Sequence, residues 1–359
     1  MKILILHPSF WVYGGAERVI VKLANYLTEH NHTCTILTTQ MIPEVRKDLI
    51  ETRLILCKNI AEMNEWYNKI HKDFDITNFH NDPVQLLSFG KKTPSVWLCN
   101  EPPQACLEGK TLPDNLKEAV KKFINKVIVA DKFNQERFKK IYDMDSTIIP
   151  YGVDFDFWQK GADYQSSQYL HKKFREKYGL KSDDFVMTQV GFIHPMKNQA
   201  KTIQIFKEIK DKVPNAKLIL AGHKTPYKQE LEDFIFKNNL QADIIFTGLI
   251  SQEEIRDLYH GSNLAIFPIK SQGGWLSIFD AMACGLRVYV SKEATCSSIL
   301  AENNLGCVCD TVEDFVHAII QNKGNKHSTD DLEWVKANLS WDKFCEKMLE
   351  VFNENNKSV

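Results

Sequence analysis

The chain has 359 residues, enough for two domains with separate cores, and its 43% hydrophobic and 25% charged content is that of an ordinary globular protein. A net charge of −1 gives no global attraction to nucleic acid, and no uninterrupted apolar run is long enough to span a bilayer. The nine cysteines lie in apolar runs without metal-ligand spacing, and Cys307 and Cys309 are too close for a usual metal pair, so buried thiols in a reducing cytoplasm are expected.

In chain order, the opening MKILILHPSF lacks the apolar h-region and cleavage site of a signal peptide and reads as a first strand over Ile3–Leu6. Ala16–Leu27 follows as a helix with Val19, Ile20, Leu23 and Leu27 on one face. Short apolar or β-branched runs then recur at Thr33–Thr38, Leu54–Cys57, Asp75–Phe79, Ser95–Cys99, Lys126–Ala130 and Thr147–Ile149, with helix-prone stretches between several of them. The alternation restarts with Phe185–Val190, Lys217–Ala221, Ile244–Thr247, Asn263–Phe267 and Arg287–Val290. It predicts two doubly wound parallel sheets, an α/β chain. Pro and Gly in PYGVDFDFW break the pattern, which gives a first domain over 1–158 and a second over 159–339. Ser340–Asn353 is an amphipathic final helix, with 340–356 assigned to pack back on the first domain. Two such domains face to face would leave a ligand cleft between the carboxyl edges of their sheets.

The most informative stretch is 267–291, a strand, a glycine loop with Gly273 and Gly274, and a helix predicted over Ser277–Cys284 with Ser277 as its N-cap. Gly285 then ends the helix. Backbone N–H groups and the positive end of a helix dipole together suit a phosphate or diphosphate. Trp275 and Leu276 bridge the loop and the helix start. Lys197 follows another strand end, where an ammonium can neutralise that diphosphate. Gly248, Leu249 and Ile250 follow a third strand, where free backbone can bond a base edge and Leu249 can cover the ring. Asp280, one helical turn inside the helix, can accept from a ribose diol. In the first half, Gly14 and Gly15 form a second glycine loop before a helix, but not the GxGxxG pattern of a dinucleotide site. His80, and the pair Asn100 and Glu101, each follow a strand and so belong to the same carboxyl edge. There a His or Glu can orient a hydroxyl or support developing charge. No Asp-x-Asp and no His/Cys/carboxylate cluster calls for a metal, and no cofactor is expected.

The chain resembles the family 4 retaining glycosyltransferases of the GT-B fold over nearly its whole length. The resemblance rests on Gly14-Gly15-Ala16-Glu17-Arg18, Ile149-Pro150-Tyr151-Gly152-Val153-Asp154, Lys197-Asn198 and the stretch from Gln272 to Asp280 with Ala281-Met282-Ala283-Cys284-Gly285 behind it. It implies two Rossmann-like domains and a nucleotide diphosphate sugar (UDP or GDP) held mainly by the second. It also implies a glycan or lipid-linked glycan acceptor held mainly by the first, metal independence and retention at the anomeric carbon. On that basis Lys197, Gln272 and His80 are the catalytic candidates, with Gln272 facing donor-sugar hydroxyls. Gly248, Leu249, Ile250, Gly273, Gly274, Trp275, Leu276, Ser277 and Asp280 hold the donor, and Gly14, Gly15, Asn100 and Glu101 the acceptor.

Three departures stand out. The family's Glu-x7-Glu pair is Gln272 and Asp280 here, and its Arg after the glycine at 191 is Phe192, which removes a bidentate phosphate clamp. The family's supporting histidine corresponds either to Asn100 or to His80. Phe192 and Gln272 keep open a catalytically silent relative that binds nucleotide or glycan, and a nucleotide-sugar epimerase is a further alternative. Finally, the lysine-rich, helix-prone region 114–142 reads first as a core helix with a solvated face. Its second reading is a peripheral contact with anionic lipid at the inner face of the membrane, which would suit a lipid-linked acceptor.

Overall fold

The computed structural model describes residues 1–101, 109, 111–160, 172–270, 273–324 and 328–356. They form two compact units, 1–152 with 339–359 and 153–338.

In the first unit seven parallel strands, β1 (Lys2–Leu6), β2 (Thr33–Thr38), β3 (Arg53–Leu56), β4 (Ile76–His80), β5 (Ser95–Leu98), β6 (Lys126–Val129) and β7 (Thr147–Ile148), lie in the order β3-β2-β1-β4-β5-β6-β7. The central strands are buried on both faces, which is why they read as unbroken apolar runs rather than alternating ones. Helices α1 (Gly15–Glu29), α2 (Pro43–Asp48), α3 (Ile60–Ile70), α4 (Asp114–Phe123) and α5 (Lys132–Tyr142) join them. Trp97, Phe138 and Tyr142 meet edge to face or stacked, at ring separations of 4.6–5.6 Å, and fill one side of the sheet.

The region 114–142 is therefore two helices around a strand, not one surface helix. Val127, Ile128 and Val129 are buried in the sheet. Its lysines are also partly paired, Lys117 with Asp114, Lys121 with Glu118 and Asp143, and Lys139 with Asp145. Such exposed pairs add little stability, but they divide the cationic charge among acidic neighbours.

The second unit holds a parallel sheet in the order β10-β9-β8-β11-β12-β13. Its strands are β8 (Phe185–Val190), β9 (Ala216–Ala221), β10 (Ile244–Gly248), β11 (Leu264–Phe267), β12 (Val288–Ser291) and β13 (Cys307–Cys309). Its helices are α6 (Phe155–Gln159), α7 (Gln199–Lys212), α8 (Tyr227–Lys237), α9 (Gln252–Gly261), α10 (Trp275–Ala283), α11 (Ser297–Glu302), α12 (Val312–Gln321) and α13 (Thr329–Asn338).

The units divide at Gly152 rather than at 158. Trp158 is the reason: it is buried beside Tyr259, and its carbonyl accepts from His260 Nε2 at 2.8 Å. Gln159 donates to the Ala283 carbonyl, so α6 is docked on α9 and α10. The last helix, α14 (Trp341–Asn356), packs on α1, β4 and β5 of the first unit, with the Phe344 ring 5.7 Å from that of Tyr151. Among the described residues no helix is long and apolar enough to cross a membrane.

Candidate functional site

In each sheet the chain builds outward on one side of its first strand and then returns to the other side, so a crevice opens at the carboxyl ends of β1 and β4 and of β8 and β11. The candidate side chains gather at these two switch points.

In the second unit the loop after β8 makes a short turn at Pro195–Lys197, and Asn198 takes a left-handed conformation at φ 56°. Asn198 Nδ2 donates to the Pro268 carbonyl at 2.9 Å, and Lys270 N donates to Met196 O at 2.9 Å, which ties the loops after β8 and β11 together. Buried Gln189 holds the turn from below. It donates to the Lys197 carbonyl at 2.7 Å and accepts from Thr202 Oγ1 at 2.7 Å. Lys197 is thereby aimed across the switch point, and its Nζ donates to the carbonyl of Gly273. A Cβ on Gly274 would stand 3.9 Å from that Nζ and 2.2 Å from Ile269 Cδ1. The ammonium, the glycine turn and the start of α10 thus converge, and the first-turn N–H groups of a helix have no intrahelical acceptors. Ammonium, free N–H groups and dipole all favour an anion.

Helix α10 begins at Trp275 with Gly274 as its N-cap, not at Ser277. Trp275 and Leu276 are buried, and their packing draws the helix back by two residues; the Ser277 carbonyl accepts from Tyr259 Oη at 2.9 Å. Asp280 is 4% exposed in mid-helix. Gln272 lies outside the described residues. Phe192 puts an aromatic ring where the family places a cation, 5.8 Å from the ring of His223.

The strand ends here come very close. Gly222 sits at φ +154°, and a Cβ on it would stand 2.0 Å from Gly191 O. Only glycine fits such an approach. Gly222 N donates to Gly248 O at 3.0 Å, and Gly248 itself has φ +74°. Leu249, just beyond, is 64% exposed, while Ile250 packs inward on the cluster around Phe174 and Val186. The Lys224 stem lies over Gly248, with Cε 3.5 Å from where a Cβ would stand.

In the first unit His7 follows β1 and His80 ends β4, their rings 5.6 Å apart. His7 Nε2 lies 3.2 Å from Glu17 Oε1, and Glu17 Oε2 accepts from Gly14 N at 3.0 Å. The Gly14–Gly15 loop therefore presents a carboxylate at its helix start, a setting that suits hydroxyl donors rather than an anion. A Cβ on Gly14 would stand 2.9 Å from Glu17 Oε2, so a larger residue there would push on that carboxylate. Next to it Asn100 Nδ2 donates to Asn81 Oδ1, and Tyr151 Oη donates to Asn100 Oδ1. This chain of three polar side chains joins the loops after β4 and β5 to the segment after β7. Burial, aided by Asp131, holds the Tyr151 hydroxyl well above its ordinary pKa, so it stays a donor. Glu101 is partly exposed beside the same loop.

The sequence reading gave no site role to His7, Glu17 or Tyr151, although Glu17 and Tyr151 stand in the motifs that carry the resemblance. A histidine just after the first strand, with a glutamate in the next helix's first turn, is the signal that points to the His7–Glu17 pair.

His80 is fully buried, and neither ring nitrogen has a hydrogen-bond partner among the described residues. Burial first, then His7, lowers its pKa well below the ordinary histidine value. It is neutral in the folded chain, whereas the unfolded chain takes up a proton near pH 6.5. Stability from this group is full above that pH and falls as acid is added, by up to about 1.4 kcal/mol per pH unit. Urea unfolding between pH 7.5 and 5.5 should show that slope, and His80→Gln should flatten it.

Among the described residues no three His, Cys, Asp or Glu side chains are grouped to hold a metal ion.

The comparisons with known proteins agree with this geometry. The family model described as "Glycosyl transferases group 1" matches residues 171–333, within the second unit and around Lys197 and α10. The α-monoglucosyldiacylglycerol synthase of Acholeplasma laidlawii is 22% identical over 65% of this chain and 60% of its own length. The Streptococcus pneumoniae synthase of the same name is 21% identical over 58% of this chain and 47% of its own. The chain thus matches about half the length of these curated relatives. Among solved structures, HepE of Anabaena in complex with UDP and glucose aligns with a TM-score of 0.82 at 17% identity, over 98% of this chain and 99% of that one. A glycosyltransferase from Rickettsia africae aligns with a TM-score of 0.82 at 18% identity, over 100% of this chain and 99% of that one. Two parallel-sheet units and these neighbours give the chain the GT-B fold, and its second unit, around Lys197 and α10, is similar to the group 1 glycosyl transferases.

Proposed function

We propose that the chain transfers one sugar from a nucleotide diphosphate sugar to a hydroxyl of a glycan or lipid-linked glycan, with retention at the anomeric carbon. The observation that carries this reading is the meeting of Lys197 Nζ with the Gly273–Gly274 turn at the start of α10. Charge develops on the leaving diphosphate as the sugar departs, and preorganised donors aimed at that charge lower the barrier. Lys197 supplies a full positive charge; Gly273, Gly274, Trp275 and Ser277 supply backbone N–H groups and the dipole. No metal has a part in this reading. Gly248, Leu249 and Ile250 hold the base, Asp280 the ribose and Gln272 the donor sugar.

The first unit is assigned the acceptor. Gly14, Gly15, the Glu17 carboxylate, Asn100 and Glu101 offer hydrogen-bonding groups suited to sugar hydroxyls, while His80, fully buried, lies beneath them. The names of the two synthases support a lipid acceptor, and UDP in the HepE complex supports the donor class.

The test is nucleotide release from a panel of UDP-, GDP- and ADP-sugars with glycan and glycolipid acceptors. Release of a nucleoside diphosphate together with a product of unchanged anomeric configuration is expected. A protein that binds free nucleotide but releases none from any donor is a silent relative, the outcome that Phe192 and Gln272 motivate. Free altered sugar without acceptor identifies an epimerase.

A further inference from the structure

We infer that Lys224 reads the base of the donor and selects uracil or guanine, which carry a carbonyl at O4 or O6, over cytosine and adenine, which carry an amino group at that position. The inference rests on the donor reading above and goes beyond it by naming the base class and the residue that chooses it.

Sheet order sets the direction in which a nucleotide can lie. Strands run β10-β9-β8-β11, with the Lys197 loop after β8 and the glycine turn after β11. From β11 to β10 is three strand spacings, about 14 Å. A nucleotide whose diphosphate sits on Gly273, Gly274 and Lys197 can extend along the carboxyl edge toward β10. The edge stays open because Gly191, Gly222 and Gly248 carry no side chains, all at positive φ. At its far end two features stand side by side. Leu249 exposes 64% of its surface immediately after β10, an apolar plate for a planar ring. The aliphatic stem of Lys224 rests on Gly248, one residue before that plate. The side chain is exposed, and its ammonium has no hydrogen-bond or ion-pair partner among the described residues.

An ammonium has three donors and no acceptor. Beside the ring edge it matches uracil O4 or guanine O6 and meets only further donors at cytosine N4 or adenine N6. A charged hydrogen bond gained on one side, and donor facing donor on the other, correspond to a preference of about 10- to 100-fold. This also separates base reading from simple attraction. A lysine that only neutralised phosphate would serve all four nucleotides equally.

Calorimetric titration with UDP, CDP, GDP and ADP tests the inference on the full chain, with melting temperature as a check on folding. The wild type should bind UDP about 10-fold or more above CDP, or GDP above ADP by the same margin. Lys224→Met should bring that ratio close to one, and Lys224→Glu, which accepts where lysine donates, should invert it. Equal binding of all four by the wild type overturns the inference and leaves the donor reading standing. So does equal weakening of UDP and CDP by Lys224→Met, which would put the ammonium on the phosphates. If none of the four binds, both readings fall together.

Discussion

An alanine at position 152 should unfold the first unit at a much lower denaturant concentration than the wild type, with a loss on the order of 3 kcal/mol. A Cβ there would stand 2.3 Å from Trp341 N, 2.4 Å from its Cα and 2.6 Å from Ser340 C. All three are main-chain atoms, so no rotamer change relieves the clash. Either the 149–152 segment or the start of α14 must move. The second effect follows from the neighbours. Tyr151 holds Asn100 and packs on Phe344, so a shift here also loosens the loops after β4 and β5. Chemical denaturation followed by tryptophan fluorescence would measure the loss. Gly324→Ala is the control, since nothing lies within 4 Å of its added Cβ. Equal midpoints for Gly152→Ala and wild type would show that α14 does not approach the backbone as described.

Replacing Lys197 with alanine should lower turnover by about 10²- to 10³-fold while leaving the melting temperature within a few degrees of wild type. The lysine is half-buried, its Nζ donates to a loop carbonyl, and the turn that carries it is held by Gln189, Asn198 and Thr202. The scaffold should therefore survive the change. Affinity for a nucleoside diphosphate should fall with turnover, but affinity for the bare nucleoside should not, because only the former places charge beside Nζ. Steady-state kinetics with paired titrations of diphosphate and nucleoside would separate the two. Wild-type turnover in Lys197→Ala would remove the phosphate assignment. Equal weakening of both ligands would mean that the lysine shapes the pocket rather than meeting charge.

Most of the fold was legible because parallel strands buried on both faces are continuous apolar runs. Thr33–Thr38 and Phe185–Val190 match their strands at both ends, and the other predicted strands begin and end within a residue or so of the observed ones. What failed were places where packing overrides local preference. Three-residue β13 is an edge strand too short to form a run, and its Cys307–Cys309 reads in sequence only as a pair of thiols. Ser277 has the right side chain for an N-cap, yet burial of Trp275 and Leu276 moves the helix start to Gly274. The run Lys126–Ala130 reads as a strand and is one, so within the helix-prone region 114–142 only the flanking stretches are helices.

The site divides in the same way. Lys197, Gly273 and Gly274 stand out by position, since each follows a strand. The His7–Glu17 pair, the His7–His80 contact and the Asn100–Tyr151 bond join residues 10, 73 and 51 positions apart. Sheet order brings them together, and no local pattern announces it.

The first unit takes its residues from both ends of the chain, 1–152 and 339–359, while the second is continuous from 153 to 338. During synthesis the later half can therefore finish folding before the earlier one, because the sheet of the first unit waits for α14 to emerge before α1, β4 and β5 are covered. Shortening the chain from its C-terminus would then injure the histidine pair and the Asn100 loops, which are written near the start. The Lys197–α10 module, written next to the lost segment, would survive.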